Sequence, residues 1–127
     1  MKPTPVVADQ TELYAVELRT SQWEKLVAWY RQVLGLQSLI RVVDEGYALL
    51  LTGGTRIAIL ARGDAPAASS RITLAFETAD LTRAAEQLKA AGEIVTEPAT
   101  NSEGVTEITT TDPDGNRVRL FSWPRSA

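Results

Sequence analysis

Four apolar positions, Trp23, Leu26, Val27 and Tyr30, recur 58 residues later as Leu81, Ala84, Ala85 and Leu88. Each set is spaced to fall on one face of a helix. The segments that end the two halves also correspond. "GGTRIAIL", residues 53 to 60, and "DGNRVRLF", residues 114 to 121, share a glycine, an arginine and alternating apolar positions at an offset of 61. An internal repeat of this kind means that one supersecondary unit is used twice.

The unit can be read from local signals. "ELYAVELRT", residues 12 to 20, is rich in β-formers and reads as a strand. "SQWEKLVAWYRQVLG" reads as a helix, with Ser21 and Glu24 at capping-box spacing and Gly35 as the stop. Residues 37 to 43, 46 to 52 and 55 to 61 read as three strands, separated by "DEG" and "TGGT". The order is βαβββ. "GDAPAASS", residues 63 to 70, is a small, polar connection. The pattern then restarts with "RITLAFET" as a strand, "ADLTRAAEQLKAAG" as a helix ending at Gly92, and "TEITTT" as a strand leading into the turn "DPDG". One domain over residues 1 to 127 is expected, with module one at about 12 to 62, a linker at 63 to 70 and module two at about 71 to 124.

Strand alternation assigns faces. Val16, Leu18, Ile57, Ile59, Ile72, Leu74, Phe76, Val118 and Leu120 form apolar faces that should take the helices. The opposite faces carry Ala15, Glu17 and Arg19; Arg56, Ala58, Leu60 and Arg62; Thr73, Ala75 and Glu77; and Arg117, Arg119, Phe121 and Trp123. If the sheets curl around these residues they enclose a mixed, partly charged concavity of the kind that holds small molecules.

Composition removes several classes of function. The chain has no Cys and no His, so it has no thiolate nucleophile, no imidazole ligand and no thiolate metal ligand. An all-oxygen cation site needs converging carboxylates, and no acidic loop has that spacing; Asp112 and Asp114 belong to a turn. The net charge of -3, with no basic stripe, argues against nucleic acid. No apolar stretch is long enough to span a bilayer and "MKPTPVVADQ" lacks a signal-peptide core, so a soluble, cytoplasmic protein is expected. "TGGT" lacks the spacing and lysine of a phosphate-binding loop. Trp29 and Tyr30 read as helix packing.

"YAVELRT", "WYRQVLGL", "LAFETADL" and "DPDGNRVRLF", in this order within a duplicated βαβββ, resemble the vicinal oxygen chelate superfamily, the glyoxalase, bleomycin-resistance and extradiol dioxygenase group. The resemblance covers residues 12 to 123. It implies an α+β fold in which two βαβββ modules form a curled, cup-shaped eight-stranded mixed sheet with helices outside. It also implies a homodimer. Metal enzymes of that family hold a divalent ion from the first and last strands of each module. Those positions fall here on Ala15 and Ala58, and on Thr73 and Arg119. None is a normal divalent-metal ligand, so no metal and no cofactor is expected.

Three readings of the cup follow. In the first, the protein sequesters a small organic molecule, as bleomycin-resistance relatives do. Phe121, Trp123 and Tyr47 would stack on a planar group, with Arg119 and Arg19 holding an anionic part and Thr73 also lining the ligand site. In the second, it is a metal-free lyase, isomerase or epimerase with Glu17 or Glu77 as general base. In the third, the cup is filled by its own side chains, Leu49, Leu51 and Leu60 among them, and the protein is an interaction module. Arg119 has a structural alternative, an ion pair with Glu17 or Glu77. "EPATNSEG", residues 97 to 104, is a candidate mobile lid.

Overall fold

The computed structural model describes residues 11 to 124. The first half contains β1 (Val16–Thr20), α1 (Trp23–Gln32), β2 (Gln37–Val42), β3 (Tyr47–Thr52) and β4 (Thr55–Ala61). The second contains β5 (Thr73–Glu77), α2 (Leu81–Ala90), β6 (Ala99–Thr100), β7 (Thr106–Thr111) and β8 (Arg117–Ser122). Each half makes its own four-stranded sheet, in the order β1-β4-β3-β2 and β5-β8-β7-β6. In both, the first and last strands pair in parallel and the rest are antiparallel. Identical order and sense in the two sheets make the duplication structural. This is the expected α+β fold of paired βαβββ modules, with open sheets rather than a closed barrel.

Register explains why the apolar stripes matter. Val16 lies beside Ile57 and Leu18 beside Ile59 in one sheet; Leu74 lies beside Val118 and Phe76 beside Leu120 in the other. Apart from Val16, these rows meet Trp23, Leu26 and Tyr30 of α1 and Leu81, Ala85 and Leu88 of α2 in one core cluster that draws on both modules. Full burial of each large apolar side chain contributes about 1.5–3 kcal/mol. The polar end of Trp23 is accommodated too, since its indole Nε1 donates to the Ile59 carbonyl at 2.9 Å. Among the described residues no helix is long and apolar enough to cross a membrane.

Several local readings are corrected. The first strand begins at Val16, so Ala15 precedes it. Ile72 lies outside β5 and is 65% exposed, because the ladder with β8 starts at Thr73. Ser21 does not cap α1: Gln22 occupies the cap position without a side-chain cap bond, and its own N–H donates to Thr20 Oγ1 at 3.0 Å. The segment read as a lid is tied down as a hairpin. Within it β6 pairs with β7, and Asn101 Oδ1 accepts from the backbone of Glu103 and Val105 at 2.9 and 3.0 Å.

"DEG" closes the β2–β3 connection through a 3-10 turn, Val43–Glu45, followed by Gly46 at φ +59°. Gly46 is required twice. Its left-handed backbone disfavours any side chain, and a Cβ there would stand 2.4 Å from the Ala61 Cβ.

The "DPDG" turn does more than reverse the chain. Asp112 is buried, 4% exposed. Its Oδ1 accepts from the backbone N–H of Asp114 and Asn116 at 3.0 and 2.9 Å. Its Oδ2 accepts from Asn116 Nδ2 and from the Tyr30 hydroxyl, both at 2.7 Å. Gln22 Nε2 donates to the Pro113 carbonyl at 3.0 Å and to Asp114 Oδ1. The side chain at the cap position of α1 reaches the other module instead, and α1 is clamped onto the turn before β8.

Candidate functional site

The charged and aromatic side chains of the site come from the faces turned away from the helices, and its cavity borders the helix-facing rows. In module two, antiparallel register sets Arg119 opposite Thr109 and Glu107 opposite Phe121, while parallel register sets Glu77 beside Phe121. Arg119 reaches diagonally, and its Nε donates to Glu107 Oε2 in an ion pair that is partly exposed, 30% and 42% at the two side chains. Its guanidinium also lies 4.6 Å from the Phe121 ring centroid. Phe121 meets Trp123 edge to face at 5.6 Å, and Trp123 Nε1 donates to Glu77 Oε1 at 2.9 Å. The result is a contact chain from Glu107 through Arg119, Phe121 and Trp123 to Glu77. Trp123 is 60% exposed.

Module one presents a different surface. Glu17 stands beside Ala58 and Arg19 beside Leu60, with Leu49 and Tyr47 opposite Ala58 and Leu60 on β3. Leu49 and Ala58 are buried at 2% and 1%, whereas Glu17 and Arg19 are exposed. Tyr47 is half-buried, and its hydroxyl is pushed above the ordinary tyrosine range by burial first, then by Tyr14 and Glu17. Arg56 is half-buried, with its guanidinium 5.0 Å from the Tyr14 ring centroid. Of the leucines named for a filled cup, Leu49 is buried while Leu51 and Leu60 are half-buried.

Between the halves lies a cavity of about 490 Å³. One wall is β5, all five residues from Thr73 to Glu77; the other combines Val16, Ile57 and the β3–β4 turn with Gly53 and Gly54. Since consecutive strand residues point to opposite faces, five in a row on one wall mean that the edge of β5 borders the space. Val16, Ile57, Leu74 and Phe76 give it an apolar lining, and Glu77 places one carboxylate on it.

The positions at which the family resemblance expects metal ligands carry side chains that do not suit a divalent cation. Ala15 and Ala58 carry no donor atom, Thr73 offers a neutral hydroxyl, and Arg119 is a cation already engaged by Glu107. Among the described residues no group of three or more His, Cys, Asp or Glu side chains is placed to hold a metal ion.

Of the residues singled out in the sequence, Glu77, Arg119, Phe121 and Trp123 come together, and Thr73 lies on the cavity wall. Glu17, Arg19 and Tyr47 belong to the other sheet. The ion-pair partner of Arg119 is Glu107, neither Glu17 nor Glu77. Glu107 was recoverable in principle: with Ile108 directed to the core, alternation in "TEITTT" puts Glu107 and Thr109 on the face of Arg119.

The architecture has close parallels among solved structures. A glyoxalase family protein from Enterococcus faecalis matches with a TM-score of 0.74 at 20% identity, covering 88% of this chain and 98% of that one. Lactoylglutathione lyase from Agrobacterium tumefaciens matches at 0.71 and 15% identity, over 88% and 93%. An integron cassette protein from the mobile metagenome of the Halifax Harbour sewage outfall matches at 0.75 and 15% identity, over 87% and 97%. At such identities the likeness establishes the fold alone. No curated protein sequence matches the chain. The family model of the Glyoxalase/Bleomycin resistance protein/Dioxygenase superfamily, however, matches residues 12 to 120, from just before β1 into β8, and the chain belongs to that superfamily.

Proposed function

We propose that this chain, acting as one domain and without a resident metal, binds and sequesters a small organic molecule in the manner suggested by the bleomycin resistance proteins of its family. One observation carries this reading: the cavity of about 490 Å³ between the modules is apolar on most of its wall and is lined at one end of β5 by Glu77, whose carboxylate accepts from the Trp123 indole. Its size suits a drug-sized ligand. Thr73, Phe121 and Trp123 contact the ligand and Arg119 holds the Phe121 ring in place, whereas Arg19 and Tyr47 lie at the far ends of their strands from the cavity lining. Glu17 and Glu77 are both exposed, which leaves a metal-free enzyme without the enclosed carboxylate it would need. We propose further that two copies associate. All six residues of β2 are exposed at the sheet edge, and they include Leu39, Ile40 and Val42.

Tryptophan fluorescence tests the binding reading directly. Trp23 and Trp29 are each 7% exposed and Trp123 is 60% exposed, so a ligand at this corner perturbs chiefly one of the three. A screen of planar organic compounds should give saturable changes in the wild type that Trp123→Phe abolishes. Metal analysis of the same preparation should find no stoichiometric divalent ion. Bound zinc, nickel, iron or manganese at one per chain would overturn the metal-free reading, and a full ligand response in Trp123→Phe would overturn the placement of the site.

A further inference from the structure

The charge arrangement around the cavity mouth narrows the ligand class, given the reading that the cavity binds a small molecule. We infer that the ligand is an organic cation: an ammonium, amidinium or guanidinium group on a planar apolar body. Among the described residues, Glu77 is the one charged residue on the cavity wall. Its carboxylate is oriented by the Trp123 indole, which donates to Oε1 at 2.9 Å. An indole that spends its N–H on a carboxylate keeps its π face available beside that same negative charge. Here the ring remains 60% exposed. A carboxylate and an adjacent indole face are the two groups that recognise a cationic head.

The cations nearby do not reverse this. Arg119 is balanced by Glu107 and lies over Phe121, so its guanidinium is occupied on both counts. Arg117 is exposed beside Thr73, at the far end of β5 from Glu77, about 13 Å away at the rise of a strand. The chain as a whole carries a net charge of -3, which favours approach of a cation. The apolar walls formed by Val16, Ile57, Leu74 and Phe76 take the body of the ligand, and the sequence-level expectation of an anion held by Arg119 gives way.

Benzamidine, benzamide and benzoate are planar probes of nearly equal size that differ in charge, and their affinities can be measured on the full chain by tryptophan fluorescence. Benzamidine should bind about ten-fold more tightly than the other two, as expected for a cation shared between a carboxylate and an indole face. Glu77→Gln keeps an oxygen acceptor for Trp123 and should bring benzamidine to the level of benzamide while leaving benzamide unchanged. Added salt should weaken benzamidine alone; this measurement needs only the wild type and decides the matter even if the variant misfolds. Equal affinity for benzamide and benzamidine, tighter binding of benzoate, or no effect of Glu77→Gln in a folded protein would overturn the cation assignment while leaving a binding cavity. Failure of all three probes on the wild type would also overturn it, and the wider compound screen then judges the binding reading separately.

Discussion

The Tyr30 hydroxyl donates to Asp112 Oδ2 at 2.7 Å across 82 residues of sequence, joining the first helix of one module to the last turn of the other. Tyr30→Phe removes one of the four donors around that carboxylate and should destabilise the protein by about 1 kcal/mol. Asp112→Ala strands all four at a buried position and should cost about 3 kcal/mol. Urea denaturation of the two variants gives the comparison; similar losses in both would show that Tyr30, not the turn, dominates the joint.

The same hydroxyl makes stability depend on alkaline pH. Burial first, and the Asp112 hydrogen bond second, push the Tyr30 hydroxyl well above its ordinary range. The unfolded chain releases that proton near pH 10, about the ordinary tyrosine value, while the native state keeps it. The stabilisation is therefore complete below about pH 10 and is lost as pH rises beyond it. Tyr47 is shifted in the same direction and adds to the trend. Denaturation midpoints should fall less steeply above about pH 10 in Tyr30→Phe than in the wild type, and identical slopes would assign the alkaline loss to other groups.

Two glycines at positive φ should respond unequally to alanine. Gly53 has φ +56° with open space around a new Cβ, so Gly53→Ala bears only the backbone cost of about 1 kcal/mol. Gly46 has a similar φ but a new Cβ would overlap Ala61 at 2.4 Å, which adds a packing cost of about 1–3 kcal/mol. Thermal melts of the pair separate conformational strain from overlap, and equal melting temperatures would show that β4 moves aside freely.

The Arg119–Glu107 pair is only partly buried. A double-mutant cycle with Arg119→Met and Glu107→Gln should give a coupling of about 0.5–1 kcal/mol that shrinks with added salt. A coupling near zero would leave Arg119 free for a ligand and revive its anion-binding role.

Much of the fold was legible because it rests on local periods. The apolar stripes of both helices and the alternation of β4 and β8 are each contained in fewer than a dozen residues, and the repeat confirms each reading against the other. Errors arose where a side chain is committed at long range. Ser21 and Glu24 have cap spacing, but it is Gln22 that precedes the helix, and its amide is spent on residues 113 and 114. Alternation placed Arg119 on the concave side correctly, yet alternation does not choose among carboxylates on that side. The choice falls to register and reach: Glu107 is a diagonal neighbour in the same sheet, Glu17 lies in the other sheet, and Glu77 is taken by Trp123. Ile72 failed for a simpler reason, since alternation was carried one step past the point where the ladder begins.

The joint between α1 and the "DPDG" turn gives the duplicated molecule a direction. At the repeat offset of 58, the counterparts of Gln22 and Tyr30 are Asp80 and Leu88; at the offset of 61, those of Asp112 and Asp114 are Leu51 and Gly53. Asp80 uses its carboxylate on its own helix, accepting from Arg83 N–H at 3.0 Å, and Leu88 has no hydroxyl to give. Neither the side-chain donors nor the side-chain acceptors of the reverse joint exist. The halves have ceased to be equivalent copies and have become complementary mates, each lacking what it would need to pair with itself. A chain cut within residues 63 to 70 should reassemble from its two fragments one to one, and mass spectrometry of the native mixture should find the mixed pair in preference to either like pair.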